Sequence, residues 1–348
     1  MNGKSFLKKR VIQETISGLF RKHFSQDNHE NEILIAAKYL KFMEDNKEVN
    51  SNKIKSILVL GKKGFIGKSV VEGLLNDTSL VVDGVSSVEI DLTDDRQVAN
   101  ALPKRLNSSA IVMAAAVTRD KDASLKSMLD NILMCTNVVS VINNQNTSHM
   151  IYVSTVDVYG RENLKLPLHE SSELKPTNHY AVSKLTGEFI FRNVCREKNV
   201  PLTILRLPPV YGPGDTHRSP IVNFMECAIK KKNIELKSSE SKVMNFLYIK
   251  DIYRTVDFVI NCKIFGIYNL VAPASYSIGQ IIRMIEDVAN VPVKTVSYKG
   301  QMHESDMVFE KSALLEAGMG FDLTDLPTGI KETYKHYYKK INQDLATL

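Results

Sequence analysis

Ser56-Ile57-Leu58-Val59-Leu60-Gly61-Lys62-Lys63-Gly64-Phe65-Ile66-Gly67 is the stretch that decides the fold of this chain. Its first five residues form a short apolar run, as a strand buried on both faces does, and the run stops at a glycine. A Val- and Leu-rich stretch at helical spacing follows. Spaced glycines between a strand and a helix permit a tight turn, let backbone approach a pyrophosphate, and let helix and strand pack closely. The helix N-terminus then offers free N–H groups and a positive dipole end to the phosphates. Gly61, Gly64, Phe65, Ile66 and Gly67 are therefore the expected cofactor cradle.

Working outward, further apolar runs stand at 80–82, 110–116, 150–153, 202–207 and 266–271, with helical stretches between most of them. That alternation predicts an α/β fold, a Rossmann-type doubly wound parallel sheet. A third strand is expected near Val88-Glu89-Ile90, joined to the second by a link too short for a full helix, and another at 293–298. The expected organisation is a helical N-terminal extension over 1–54 and an NAD(P)-binding portion over 55–205. A smaller C-terminal α/β substrate portion over 206–348 completes it, with 240–271 returning to the sheet.

Within the extension, Phe6, Leu7, Val11, Ile12, Ile16, Leu19, Phe20 and Phe24 recur at helical spacing among basic residues. A helical pair packing on the body or on a second subunit is the expectation, with a membrane surface as the alternative. Most of the net charge of +6 belongs to this tail, so it does not point to nucleic acid. The 43% hydrophobic and 24% charged fractions are those of a globular protein. No apolar run has the ~18 residues of a membrane span. Cys135, Cys195, Cys227 and Cys262 are scattered without metal or redox spacing, and the histidines form no zinc-type pair. A cytoplasmic enzyme with reduced thiols and no metal is expected.

Four groups carry chemistry. Asp83 ends the second apolar run close to the ~20-residue offset at which a carboxylate holds the adenosine ribose. This favours NAD; Lys62 and Lys63 keep NADP open. Tyr180 and Lys184 lie four apart on one helix face, where a cation is expected to lower the phenol's pKa. Thr155 follows the apolar strand Met150-Ile151-Tyr152-Val153, at the end where ligands bind, and offers a hydroxyl to a substrate oxygen. Asn131, polar on an apolar helix, either anchors a water relay to Lys184 or satisfies a helix kink.

Together these residues resemble the extended short-chain dehydrogenase/reductase family of nucleotide-sugar epimerases, dehydratases and 4-keto-reductases. The resemblance spans about residues 55–340. It takes in Asp91-Leu92-Thr93-Asp94, Ala114-Ala115-Ala116, the segment Ser154 to Gly160, Glu188, Arg206, Tyr211 to Asp215 and Phe246 to Asp251. It implies that Thr155, Tyr180 and Lys184 are catalytic with Asn131 in support. It implies that Asp91, Leu92, Ala114, Ala115, Ala116, Ser154, Leu207 and Val210 line the cofactor beside Tyr180 and Lys184. Thr118, Thr155, Val156, Asp157, Tyr180 and Arg218 are the implied substrate residues, and a homodimer is the implied assembly.

Three departures narrow the function. Dehydratases of the family follow the catalytic Thr with Asp-Glu, and here those positions read Val156-Asp157. Pro209 replaces an Asn that touches substrate phosphates. Met244 and His303 replace arginines, with Arg218 or Lys242 as substitutes. An NAD(P)-dependent epimerase acting on a sugar nucleotide through a keto intermediate is the expectation. The alternatives are a 4-keto-sugar-nucleotide reductase, a dehydrogenase of a non-sugar alcohol, and a non-catalytic NAD-binding scaffold.

Overall fold

In the computed structural model, which describes residues 54, 56–77, 80–107, 109–215, 219–236, 238–297 and 305–346, most of the apolar runs become one parallel sheet. β1 (Ser56–Leu60), α1 (Phe65–Asp77), β2 (Val81–Val85), α2 (Asp95–Ala101) and β3 (Ser109–Met113) open it. α3 (Leu125–Val141), β4 (Thr147–Thr155), α4 (His179–Glu197) and β5 (Leu202–Leu207) follow. The chain then makes β6 (Val210–Tyr211), α5 (Pro220–Ile229), β7 (Ile234–Leu236), β8 (Val243–Met244), β9 (Leu247–Tyr248) and α6 (Ile249–Asn261). It returns to the sheet as β10 (Gly266–Asn269). β11 (Tyr276–Ser277), α7 (Ile278–Ala289), β12 (Thr295–Ser297), α8 (Ala313–Glu316) and α9 (Leu326–Ala346) complete the described chain. The six-stranded order is β2-β1-β3-β4-β5-β10, every neighbour parallel.

The two-residue period of a strand sorts its side chains between two cores. Ile57, Val59, Ala110 and Val112 enter one buried cluster; Leu58, Leu60, Ile111 and Met113 enter the other. The first cluster continues through Met225, Ile249, Ile281 and Ile285. The C-terminal portion thus shares a core with the sheet rather than closing one of its own, and adds the two-stranded pairs β6–β9, β8–β11 and β7–β12.

Val88-Glu89-Ile90 is a turn, not a strand: Ser86 O accepts from both Glu89 N and Ile90 N, and Val88 is 83% exposed. Asp83 lies at the middle of β2, which runs on to Val85. The expectations for the extension over 1–54 fall almost wholly outside the described residues, as do Arg218 and His303. Among the described residues no helix is long and apolar enough to cross a membrane.

β1 lies between β2 and β3, so the chain leaves it to one side and then to the other. Crevices at the carboxyl ends of strands at such a switch point are where ligands bind in open α/β sheets. Beneath this end a buried polar network joins four elements. Arg206 of β5 donates from Nε and Nη2 to Glu188 of α4 (3.0 and 2.7 Å) and from Nη1 to the Tyr159 hydroxyl (2.9 Å). Ser154 of β4 donates to Glu188 (2.6 Å), and Tyr159 donates to Asn269 of β10 (2.7 Å). Removing one partner of a buried ion pair strands the other charge, which costs about 3–5 kcal/mol. Arg206→Met is expected to lose that much unfolding free energy in urea, and a loss under about 1 kcal/mol would show the pair to be expendable.

Candidate active site

Gly61 turns β1 away at φ +97°, a left-handed conformation that glycine adopts without strain. A Cβ there would lie 2.8 Å from Ala115 N, so the loops leaving β1 and β3 touch only because this residue has no side chain. Gly64 N donates to Gly61 O (2.9 Å), and a Cβ on Gly67 would drive into that same carbonyl. The first turn of α1 therefore closes directly over the end of β1, with Phe65 and Ile66 half-buried beside it. A bare backbone cradle at a helix N-terminus fits a dinucleotide pyrophosphate. Ala114 N donates to Leu60 O (3.0 Å), and Ala114, Ala115 and Ala116 line the neighbouring wall, partly exposed.

Other expected cofactor residues are placed differently. Asp83 accepts from Arg105 at both carboxylate oxygens (3.0 and 2.8 Å) and stays half-exposed. Asp91 accepts from Thr93 N and Oγ1 (2.9 and 2.7 Å), bracing the loop. The side chains of Leu92 and Leu207 are buried in the core, which leaves their backbone alone to face a ligand. Ser154 gives its hydroxyl to Glu188. Val210 is half-buried at the start of β6.

Tyr180 and Lys184 occupy the first two turns of α4, started by Asn178, whose side chain accepts from Ala181 N (2.9 Å). Thr155, buried at the end of β4, accepts from Asp157 N (3.2 Å). Asp157 is also the carboxylate that acts most strongly on Tyr180. Burial first, then the fields of Asp157 and Asp120, push the Tyr180 phenol well above its ordinary value, and Arg119 offsets part of this. The expected depression by Lys184 is absent because that ammonium faces elsewhere. It lies 4.1 Å from the ring centroid of Tyr152, a cation–π arrangement, and burial lowers it to about 8. Tyr152 donates to Lys184 O (3.4 Å), and a Cβ on Gly187 would collide with the Tyr152 hydroxyl.

The Asn131 side chain is engaged on both sides of the loop after β3. Its Oδ1 accepts from Val117 N (2.7 Å), and its Nδ2 donates to Val117 O (2.9 Å) and Ser183 Oγ (3.2 Å). It clamps the loop after β3 to α4. On the substrate side, Val156 is fully buried and so cannot touch a substrate with its side chain. Thr118 holds a buried hydroxyl with no hydrogen-bond partner among the described residues. Asp157 is taken by Arg161 (2.6 Å) with Arg119 at 3.7 Å. Lys242 and Met244 are buried around β8.

Sequence reasoning missed Arg119, Arg161 and Tyr152. Arg161 stands four residues after Asp157 and Arg119 three after Ala116, positions that a scan for cations near the site loops would have caught. Tyr152 read only as part of an apolar strand.

Residues 57–270 match the NAD dependent epimerase/dehydratase family. A relative described as GDP-6-deoxy-D-talose 4-dehydrogenase, from Aggregatibacter actinomycetemcomitans, is 27% identical over 80% of this chain and 97% of its own. The chain is also similar to a GDP-L-fucose synthetase from Naegleria fowleri bound to NADP (19% identity, TM-score 0.72, covering 84% of this chain and 97% of that one). UDP-glucuronic acid 4-epimerase from Bacillus cereus, in complex with UDP-glucuronic acid and NAD, gives 20% identity and TM-score 0.71 over 82% and 99%. At these identities the two solved structures share the fold.

Burial of Lys184 generates a pH prediction. Its folded pKa of about 8 lies below the ordinary 10.5, so across that window the unfolded chain holds the extra proton and stability rises with pH. Relative to Lys184→Met, the wild-type protein is expected to gain on the order of 2 kcal/mol between about pH 8 and 10 in urea unfolding. A flat difference would show that the ammonium is not desolvated.

Proposed function

This chain belongs to the NAD dependent epimerase/dehydratase family, and from that premise we propose that it is an NAD(P)H-dependent reductase of a keto group on a nucleotide-activated 6-deoxysugar. The observation that carries this reading is the placement of Thr155 at the end of β4 and Tyr180 in the first turn of α4, at the end of the sheet where Gly61, Gly64 and Gly67 leave a bare backbone cradle. A neutral phenol is the state that donates a proton to a carbonyl oxygen. A nicotinamide dinucleotide held at Gly61, Gly64 and Gly67 would supply the hydride chemistry when bound. Tyr180 gives its Oη proton to the oxygen of that carbonyl, completing the alcohol. Thr155 accepts from Asp157 N and so keeps its own hydroxyl proton to donate to the same oxygen. Lys184, one turn along α4, is seated on the Tyr152 ring, and the cation whose field favours the phenolate left behind is Arg119. Asn131 is a positioning residue between the loop after β3 and Ser183.

Dehydration is disfavoured because Val156, where an acid is needed, is in the core. A relative named for redox chemistry at the 4-position of a GDP-6-deoxysugar, aligned along nearly its whole length, supports a 4-keto-6-deoxy substrate. Epimerisation through a transient ketone would use the same residues but return the cofactor unchanged. Purified protein incubated with NADPH or NADH and UDP-, dTDP-, GDP- or CDP-4-keto-6-deoxysugars is expected to consume cofactor in step with product. Turnover without such loss would assign an epimerase instead. Tyr180→Phe is expected to slow turnover about 10²–10⁴-fold with cofactor binding retained. Unchanged turnover in this variant would rule out Tyr180 as the proton donor.

A further inference from the structure

We infer that the outer face of α9, built from Lys331, Lys335 and Lys339 beside the stacked rings of Tyr334 and Tyr338, is a docking surface for an anionic lipid bilayer. It involves none of the residues assigned above to the cofactor, the substrate or the proton chemistry, and so goes beyond the reaction proposed there.

At 3.6 residues per turn the three lysines follow one another along the helix. Tyr334 and Tyr338 stand beside them at the three- and four-residue spacings that share a face. All three lysines are exposed, and Tyr338 leaves 51% of its surface open. The opposite side of α9 is fastened to the body: Ile330 and Thr333 are fully buried, and Tyr337 is buried and donates to Asp215 O (2.8 Å). The face is therefore presented on a rigid support. Glu332 is the one acid between residues 326 and 343, and it accepts from Tyr248 (2.7 Å) and Lys250 Nζ (2.9 Å), so its charge is offset by Lys250. Lysines on other helices pair with acids one turn away, Lys68 with Glu72, Lys126 with Asp130 and Lys230 with Glu226. The row on α9 forms no ion pair among the described residues.

The chemistry of this face selects its partner. The row spans about 12 Å, and its complement is a spread-out negative surface rather than a single anion. Lysine ammoniums act as point charges, each adding attraction as it nears a layer of anionic headgroups. Recognition of nucleic-acid phosphates favours the forked guanidinium, and α9 contains no arginine. The tyrosines sort the same way. Their rings lie 5.8 Å apart at 25°, stacked on each other, which takes up ring faces that nucleic-acid bases would need for stacking. An apolar ring with a hydroxyl tip is instead suited to the headgroup level of a bilayer.

Co-sedimentation of the full chain with vesicles tests this. Partition into phosphatidylglycerol–phosphatidylcholine vesicles (about 1:3) is expected to be at least about tenfold stronger than into phosphatidylcholine alone, and added salt is expected to release the protein. Lys331→Gln, Lys335→Gln and Lys339→Gln together should lower the anionic partition about tenfold or more, and Tyr338→Ser about threefold. Lys68→Gln, Lys126→Gln and Lys175→Gln together remove the same charge elsewhere and should leave it within about twofold. An unchanged thermal midpoint shows that each variant folds. Wild-type protein that stays unbound, or that partitions equally into both vesicles, would overturn the proposal. So would binding unmoved by the α9 lysine changes, which would assign the affinity to the basic residues 1–24. Vesicles left unbound while a single-stranded DNA oligonucleotide is held through the same three lysines would give the face to nucleic acid instead.

Discussion

The Glu188–Arg206 pair is the constraint on which the site depends. Tyr180, Lys184 and Glu188 are spaced four apart, so one face of α4 carries the proposed proton chemistry at its start and a buried carboxylate two turns on. Arg206 on β5 grips that carboxylate with two nitrogens, and Ser154 on β4 adds a third bond. A helix held this way cannot rotate about its axis without leaving charges unpaired in the core. Its rotation in turn decides where the phenol of Tyr180 points. A buried pair of this kind adds little net stability over apolar packing, and its use here is orientation.

The electrostatics above that anchor divide into separate compartments. Lys184 rests on the Tyr152 ring, whereas Asp157 is bracketed by Arg161 and Arg119 nearer the mouth. The phenol between them feels carboxylates and burial more than the lysine one turn away. Proximity along a helix fixes which residues share a face, not where long side chains end. An ammonium on four methylenes goes to the nearest surface that will take it, and here that is an aromatic ring.

Much of the framework was legible in the chain itself. The run Ser56–Leu60 ending in glycines is short, apolar and punctuated, and the glycines are required by contacts that any side chain would break. Thr155, Tyr180 and Lys184 fall at the strand end and helix start that their flanking patterns implied. Val88-Glu89-Ile90 misled because three residues with two apolar ones look like a strand, while the Ser86 carbonyl that folds them into a turn leaves no mark in composition. Asp83 was misplaced because the apolar run stops before the hydrogen-bonded strand does: Gly84 and Val85 carry β2 further. Arg105, Glu89, Arg119 and Tyr152 gain meaning only from partners distant in sequence, which periodicity cannot show.

The carbonyl of Val85 receives two donors from the opposite turn. One atom on β2 thus sets the height of the glycine loop as well as the start of the corner that holds Lys62 and Glu89. Exchanging side chains after Val85 alters chemistry while leaving this hinge point alone. Inserting or deleting a residue before it slides the strand and carries the loop along. The corner and the glycine turn therefore behave as one mechanical part: the side chains of the corner can be exchanged by substitution, yet its length is locked to that of its neighbour.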